Sequence, residues 1–190
     1  MNYDCYISII KIIHLQYLAR KMESIEAIKT RRSIRKYQNK KIPEEIITEI
    51  INCSMYSPSA FDYQPWHYLV VDRKEIFDNI LKVATHAEMI KEASHAIILC
   101  GDRKLEENTG LLIQDVSAAT ENLLLAAHSY GLGAVWIGIY PFEEIVKGIR
   151  DLFKLPDNII PVSMAVIGYP GETPVQPERY KKDRVHINKW

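Results

Sequence analysis

The stretch from Asn108 to Tyr130 contains the longest helical pattern in the chain and restricts the possible folds most strongly. Its apolar residues recur along more than one helical face, and Gly131 follows as a suitable C-terminal cap. A helix that is apolar on several faces is covered by neighbouring elements on more than one side. The pattern therefore predicts a central helix that packs against the rest of a domain.

Shorter helical and strand patterns alternate on both sides of this long helix. Helical patterns occur at residues 24–30, 44–55, 74–84 and 141–153, and strand patterns at residues 66–72, 95–102, 134–138 and 159–170. A few strands mixed with helices are typical of an α+β domain with three layers. Since no repeat or linker divides residues 22–190, we predict a single domain there.

Capping residues and apolar spacing predict how two of the shorter helices begin. Ser24 is a suitable N-cap for a helix whose Ile25 and Ile28 face the core. Pro141 is predicted to open the helix of residues 141–153, because proline is tolerated in the first helical turn.

Residues 1–21 differ from the remainder of the chain. Their apolar run, residues 7–19, is interrupted by polar side chains and is too short to span a bilayer, which needs about 20 apolar residues. The segment is either an amphipathic helix or an N-terminal extension that arises from start-site assignment. We favour the extension, with translation beginning at Met22.

The balance of charges and the distribution of cysteine and histidine argue against several function classes. Basic and acidic residues number 24 each, so no global field attracts a nucleic acid. The three cysteines are far apart and odd in number, which fits a cytoplasmic protein better than a disulfide framework. The six histidines are dispersed. We therefore predict no nucleic-acid partner, no membrane association and no bound metal.

Residues 30–37, TRRSIRKY, place three arginines and a lysine around one serine. The planar guanidinium group suits a phosphate, and each charge-assisted hydrogen bond contributes about 1.5–3 kcal/mol. Arg31, Arg32, Ser33 and Arg35 are therefore candidate anion ligands. A solvated basic turn, a nucleic-acid contact and a protein-kinase target are alternatives that this stretch alone leaves open.

Residues 57–66, SPSAFDYQPW, are rich in turn-forming residues and precede a predicted strand. Small residues in a rigid turn allow the backbone to approach a flat ligand closely. Gln64 offers both a donor and an acceptor to the edge of a heterocycle. A purely structural turn is the alternative interpretation.

Two further stretches are weaker candidates for ligand binding. Gly138 lies at the end of the predicted strand in VWIGIY, where backbone N–H groups are available at a sheet edge. Arg179, in the proline-rich tail of residues 171–190, is a candidate for a second phosphate ligand. Nearby lysines in the tail also fit ordinary surface charge.

In their order and spacing, these four stretches resemble the nitroreductase-like flavoproteins, which bind FMN. The resemblance covers residues 22–190 and rests on RRSIRKY, SPSAFDYQPWHYLVV, AVWIG and the ending GYPGE…RYKKDRVHINKW. It implies an α+β nitroreductase-like fold with three layers and a central, mostly antiparallel sheet flanked by helices. It also implies an intertwined homodimer whose C-terminal tails are exchanged between subunits.

The resemblance assigns roles to the basic residues, position by position. Arg31 and Arg179 resemble ligands of the FMN phosphate, and Arg32 is a possible helper. Ser33 and Arg35 resemble residues that contact the ribityl chain and the pyrimidine edge of the isoalloxazine ring. A cation at that edge favours the reduced, anionic flavin.

The remaining implied contacts come from backbone N–H groups and from the turn. The N–H groups of Ile137 and Gly138 would meet flavin N5 and O4. The segment that covers the ring from the other subunit corresponds to Pro58, Ser59 and Ala60, and Gln64 would lie nearby.

Asp62 departs from the family pattern, which commonly has asparagine before x-Gln-Pro-Trp. An aspartate could lower the reduction potential, accept a hydrogen bond from the ring N3–H or point away from the cofactor. The contact at this position is therefore left open.

The implied activity is that of an FMN-dependent oxidoreductase. NADH or NADPH would deliver a hydride to flavin N5, and an electron-poor acceptor such as a nitroaromatic or a quinone would then be reduced by a ping-pong mechanism. No protein acid, base or nucleophile is required, so no catalytic side chain is assigned. The alternatives are a dehalogenase-like flavoenzyme and a non-catalytic FMN carrier or sensor.

Overall fold

The computed structural model describes residues 22–190, so the prediction of an N-terminal extension at residues 1–21 lies outside the described residues. The described helices are α1 (Ser24–Thr30), α2 (Glu44–Ser54), α3 (Lys74–Val83), α4 (Thr109–Ser129) and α5 (Glu143–Phe153). The described strands are β1 (Trp66–Val71), β2 (His95–Asp102), β3 (Gly133–Gly138) and β4 (Ile159–Gly168). Each predicted helix and strand within these residues is present.

The four strands form one sheet in the order β1-β2-β4-β3, and every neighbouring pair is antiparallel. β2 and β4 are therefore interior strands, whereas β1 and β3 are the two edges. The continuous apolar run of β2 agrees with this position, because all its residues from His95 to Gly101 are buried.

Helices cover both faces of the sheet. Alternate residues of β2 face opposite sides of the sheet and pack into two different cores. Ile98 packs with α3 and α5, whereas Ile97 and Leu99 pack with α2 and α4. The predicted three-layer α+β class, with a sheet between helices, is confirmed.

Helix α4 occupies the centre of one layer. Its N-cap is Asn108, whose side chain accepts hydrogen bonds from the N–H groups of Gly110 at 2.9 Å and Leu111 at 3.3 Å. Leu112, Val116 and Leu123 are fully buried between the sheet and α2. The predicted central helix is present at nearly the predicted bounds.

Two details of the shorter helices differ from prediction. Ile25 and Ile28 are 66% and 62% exposed, because the seven-residue helix α1 turns Ala27 towards the core instead. Glu23, rather than Ser24, occupies the N-cap position of α1, and it makes no side-chain cap hydrogen bond.

Helix α5 begins at Glu143 rather than at Pro141. The N–H of Phe142 donates to the carbonyl of Ile139 at 3.0 Å, so residues 139–142 form a turn before the helix. Pro141 lies in that turn.

Residues 31–35, which we call the arginine stretch, run along the outer edge of β3. The N–H of Ile34 donates to the carbonyl of Ala134 at 3.0 Å, and Ser33 forms a parallel bridge with Ala134. Gly133 permits this approach, because a Cβ there would lie 2.7 Å from Cγ2 of Ile34. The chain therefore positions residues 31–35 against an edge strand.

Candidate active site

A cleft of about 650 Å³ lies between the end of α1 and the C-terminal tail. Arg31 and Arg32 line it on one side, and Arg179 lines it from the tail. The structure thus brings together guanidinium groups from both ends of the described chain. We call this cavity the arginine cleft.

Arg32 is held in the arginine cleft by several hydrogen bonds. It donates to the carbonyls of Arg31 and Lys29 and to the side-chain oxygen of Gln176, yet its buried Nε has no hydrogen-bond partner within residues 22–190. Desolvation, together with the neighbouring charges of Arg179 and Arg31, lowers the pKa of Arg32. This concentration of positive charge favours an anion in the cleft.

Two further side chains hold the arginine cleft in shape. Gln176 donates from Nε2 to the carbonyl of Thr30 at 2.9 Å, which fastens the tail to α1. Glu121 of α4 lies 3.3 Å from Nε of Arg31 and orients that guanidinium. The remaining donors of Arg31 can still face the cleft.

Ser33 and Arg35 lie beside β3 and are not among the residues that line the arginine cleft. The backbone N–H groups of Arg35 and Lys36 donate to Oε1 of Glu172 at 2.6 and 3.1 Å. The first residues of the tail therefore pack against the stretch that carries Arg35, whose side chain is exposed.

The open edge of β3 offers backbone N–H groups. The carbonyl of Ala134 points outward to Ile34, and successive residues of a strand alternate in direction. The N–H of Gly138 consequently points to the open edge, whereas the N–H of Ile137 points towards β4. The two predicted N–H groups are adjacent in sequence but face opposite sides of the strand.

The turn of residues 57–64 packs against α4 on the other side of the molecule. The N–H of Ala60 donates to Oδ1 of Asp115 at 3.0 Å. Ser59 Oγ accepts from the N–H of Gln64 at 3.0 Å, and Gln64 Nε2 donates to Oδ1 of Asp62 at 2.8 Å. Asp62 and Gln64 therefore pair with each other within the exposed turn.

The two halves of the predicted site are separate within one chain. The turn leads into β1 and the arginine stretch runs along β3, and these opposite edges of a four-stranded sheet are about 14 Å apart at three strand spacings. The structure does not bring one group of predicted residues into the arginine cleft: Pro58, Ser59, Ala60, Asp62 and Gln64.

Sequence reasoning did not identify several residues that organise these regions. Gln176, Glu121 and Glu172 contact the arginine stretch from distant positions, and no local pattern marks them. Asp115 could have been identified from the sequence, because its carboxylate interrupts an apolar stripe of α4 that contains Leu112 and Val116.

His128, in the last turn of α4, contacts Thr30 at the end of α1 and does not itself line the arginine cleft. Its Nε2 lies 2.8 Å from Oγ1 of Thr30. Burial lowers the pKa of His128, and the nearby charges of Arg31 and Arg32 lower it further. The imidazole is therefore held preferentially in its neutral form.

The sequence matches the model of the Nitroreductase family over residues 28–102 and 81–169. A protein of Methanothermobacter thermautotrophicus is 48% identical to this chain over 178 residues, which cover 94% of this chain and 93% of that protein. The name of that protein gives NADH dehydrogenase/NAD(P)H nitroreductase as its candidate activity. The chain belongs to the nitroreductase family.

Solved structures agree with this assignment to the nitroreductase family. A Parabacteroides distasonis protein with the same candidate activity in its name superposes with a TM-score of 0.85 at 36% identity, covering 89% of this chain and 99% of that chain. An FMN-dependent nitroreductase from Clostridium difficile has a TM-score of 0.81 at 29% identity, covering 87% and 99%. The predicted family resemblance and fold are confirmed.

The match to the nitroreductase family model ends at Tyr169, before the tail that carries Arg179. It includes the arginine stretch, the turn of residues 57–64 and β3. Within residues 22–190, no helix is both long enough and apolar enough to cross a membrane.

Proposed function

We propose that this protein is an FMN-dependent oxidoreductase that accepts a hydride from NADH or NADPH and reduces an electron-poor acceptor. The acceptor class is that of nitroaromatics and quinones, and the two half-reactions follow a ping-pong order. The observation that carries the proposal is the convergence of Arg31, Arg32 and Arg179 beside the open edge of β3. The names of relatives in the family support the same activity.

The residues present fit a flavin mononucleotide. The arginine cleft has the donor set for a phosphate, because Arg31, Arg32 and Arg179 all line it. From Ala134, which pairs with the arginine stretch, β3 extends four residues to Gly138, a distance of about 13 Å. This spacing suits FMN, whose phosphate would lie near the cations and whose flat ring would lie near the backbone N–H of Gly138.

The chain would bind and orient the cofactor through distinct groups. Arg31 and Arg179 bind the phosphate with help from Arg32, and Ser33 lies along the ribityl chain. Arg35 places positive charge at the pyrimidine edge of the ring, where it favours reduction. Bound FMN supplies the hydride-transfer chemistry, so the protein needs no acid or base of its own.

Backbone groups would complete the contacts to the ring. The N–H of Gly138 is the group that faces the open edge of β3, and the adjacent Ile137 is anchored in the sheet. Neither position depends on a polar side chain.

A homodimer would complete the site. The turn of residues 57–64 lies at the far edge of its own subunit, and a partner subunit can bring its copy of this turn to the arginine cleft. The exposed Ile25 and Ile28 on α1 are apolar groups that such an interface would cover. Exchange of the C-terminal tails is part of the same proposal.

Titration of the purified protein with FMN tests the proposal. We expect a yellow protein and reduction of its flavin band by NADH or NADPH in a stopped-flow instrument. Arg31→Ala and Arg179→Ala should each weaken FMN binding roughly 10- to 100-fold, because each removes a charge-assisted hydrogen bond. Lys36→Ala is the matched control, since Lys36 is an exposed cation outside the arginine cleft.

Two results would contradict the proposal in different ways. A colourless protein after incubation with excess FMN would remove the cofactor assignment. A yellow protein that neither nicotinamide reduces would instead favour an FMN carrier or sensor.

A further inference from the structure

Two buried carboxylates lie outside the arginine cleft and have no part in the proposed chemistry. Asp115 on α4 is 6% exposed, and Glu106, in the turn before that helix, is 5% exposed. Within residues 22–190, Oδ2 of Asp115 and Oε2 of Glu106 are buried without a hydrogen-bond partner. Burying a carboxylate with an unpaired oxygen is unfavourable. The presence of Asp115 on an otherwise apolar stripe of α4 therefore needs a reason.

Oδ1 of Asp115 supplies that reason, because it accepts a hydrogen bond from the N–H of Ala60 at 3.0 Å. Other hydrogen bonds of residues 57–64 stay within the turn or reach Ser54 at the adjoining end of α2. Among the described residues, the Ala60–Asp115 bond is the one that ties this turn to a distant part of the chain.

The turn of residues 57–64 has a backbone that needs such support. Phe61, Asp62 and Gln64 have φ angles of 52°, 59° and 49°, in the left-handed region that side-chain-bearing residues rarely adopt. Such conformations persist only where the surroundings impose them. Phe61 is 78% exposed, so its own side chain contributes little packing.

We propose that Asp115 is a positioning residue for the cofactor site: its carboxylate holds the N–H of Ala60 and thereby sets the shape in which residues 57–64 cover the flavin ring of the partner subunit. This inference rests on the proposed function for the identity of the ring. Glu106 stabilises the start of α4, because its Oε1 accepts from the N–H of Asn108, the N-cap of that helix, at 2.7 Å.

Substitutions at Asp115 separate the hydrogen bond from charge and packing. Asp115→Asn retains an oxygen acceptor for Ala60, whereas Asp115→Ala removes it. We expect Asp115→Ala to weaken FMN binding about tenfold and Asp115→Asn to remain within about threefold of the wild type, as the loss of one hydrogen bond predicts. Glu107→Ala is the matched control, because it removes an exposed neighbouring carboxylate.

Hydrogen exchange gives a readout that does not depend on FMN. In Asp115→Ala, amides of residues 57–64 should exchange about tenfold faster than in the wild type, while amides of residues 119–127 in α4 keep their wild-type rates. This comparison also separates a local effect on the turn from general unfolding.

Ala60→Pro removes the N–H donor and leaves Asp115 intact, at the start of a short helical turn where proline is tolerated. If Asp115 acts through this N–H, Asp115→Ala should cause little further loss of FMN affinity once Ala60→Pro is present. Additive losses would overturn the inference.

The remaining outcomes are decisive as well. Asp115→Ala with wild-type exchange in residues 57–64 would refute the positioning role, as would equal losses in Asp115→Ala and Asp115→Asn. A wild-type protein that fails to bind FMN refutes the proposed function instead, and hydrogen exchange then decides the role of Asp115 alone.

Discussion

His128 shows how a single residue responds to the charge of its surroundings. It contacts Thr30 at the end of α1 and lies near Arg31 and Arg32, and burial is the main cause of its lowered pKa. The folded protein therefore binds a proton at His128 more weakly than the unfolded chain does.

The pH dependence of stability follows from this difference. Above the ordinary imidazole pKa of about 6.5, His128 is neutral in both states and its contribution to stability is fully present. As the pH falls below that value, the unfolded chain takes up the proton first, so the free energy of unfolding decreases. Urea titrations between about pH 7.5 and 5 should show a smaller decrease for His128→Gln than for the wild type. Parallel curves for the two proteins would contradict the assignment.

At the scale of secondary-structure elements, the arginine stretch pairs with the edge strand β3. Ser33 and Ile34 bridge to Ala134, and the close approach depends on the absence of a side chain at Gly133. The position of the candidate phosphate ligands therefore depends on the packing of an edge strand, as well as on the arginines themselves.

Gly133→Ala tests this pairing. The added methyl group would press against Ile34, so we expect a loss of about 1–3 kcal/mol in the free energy of unfolding, typical of overpacking. Because the arginine stretch must shift, FMN affinity should also decrease. The measurements are urea unfolding and FMN titration.

Gly148→Ala is the matched control for this substitution. A Cβ at Gly148 would collide with Val83, but the contact lies between α5 and α3, away from the arginine cleft. We expect lower stability with unchanged FMN affinity for the folded protein. Unchanged FMN affinity in Gly133→Ala as well would show that the pairing does not position the arginines.

At the scale of the whole molecule, one chain contains the parts of the proposed site but does not assemble them. The arginine cleft and the turn of residues 57–64 lie at opposite edges of the sheet, and α1 exposes Ile25 and Ile28. The proposed homodimer accounts for both features.

Ile25→Asp tests the dimer through the interface that α1 would form, because Ile25 is exposed and does not line the arginine cleft. A charge at a covered apolar position should weaken self-association, since an unpaired charge is costly to bury. Sedimentation velocity should show a shift from dimer towards monomer, and FMN affinity should fall at low protein concentration because each site needs both subunits. Lys82→Asp, on α3 in the opposite helical layer, should alter neither property. A wild-type protein that is monomeric at all concentrations would contradict the homodimer.

Local patterns were sufficient to predict most of the secondary structure and the family. The period of apolar residues marked α4, and the uninterrupted apolar run marked β2. These predictions succeeded because helices and strands impose short periods on neighbouring residues. The site assignments of individual residues stay predictions.

The sequence by itself determined which segments form helices and strands, which layer class they build and which residues carry suitable chemistry. Only the tertiary structure decided that Ile25 and Ile28 point outward, that Gln176 meets Arg32 and that Asp115 holds Ala60. Each of these features depends on packing between segments far apart in the chain. Local periodicity reports the direction of a side chain relative to its own element, and the partner it meets is set by how the elements pack together.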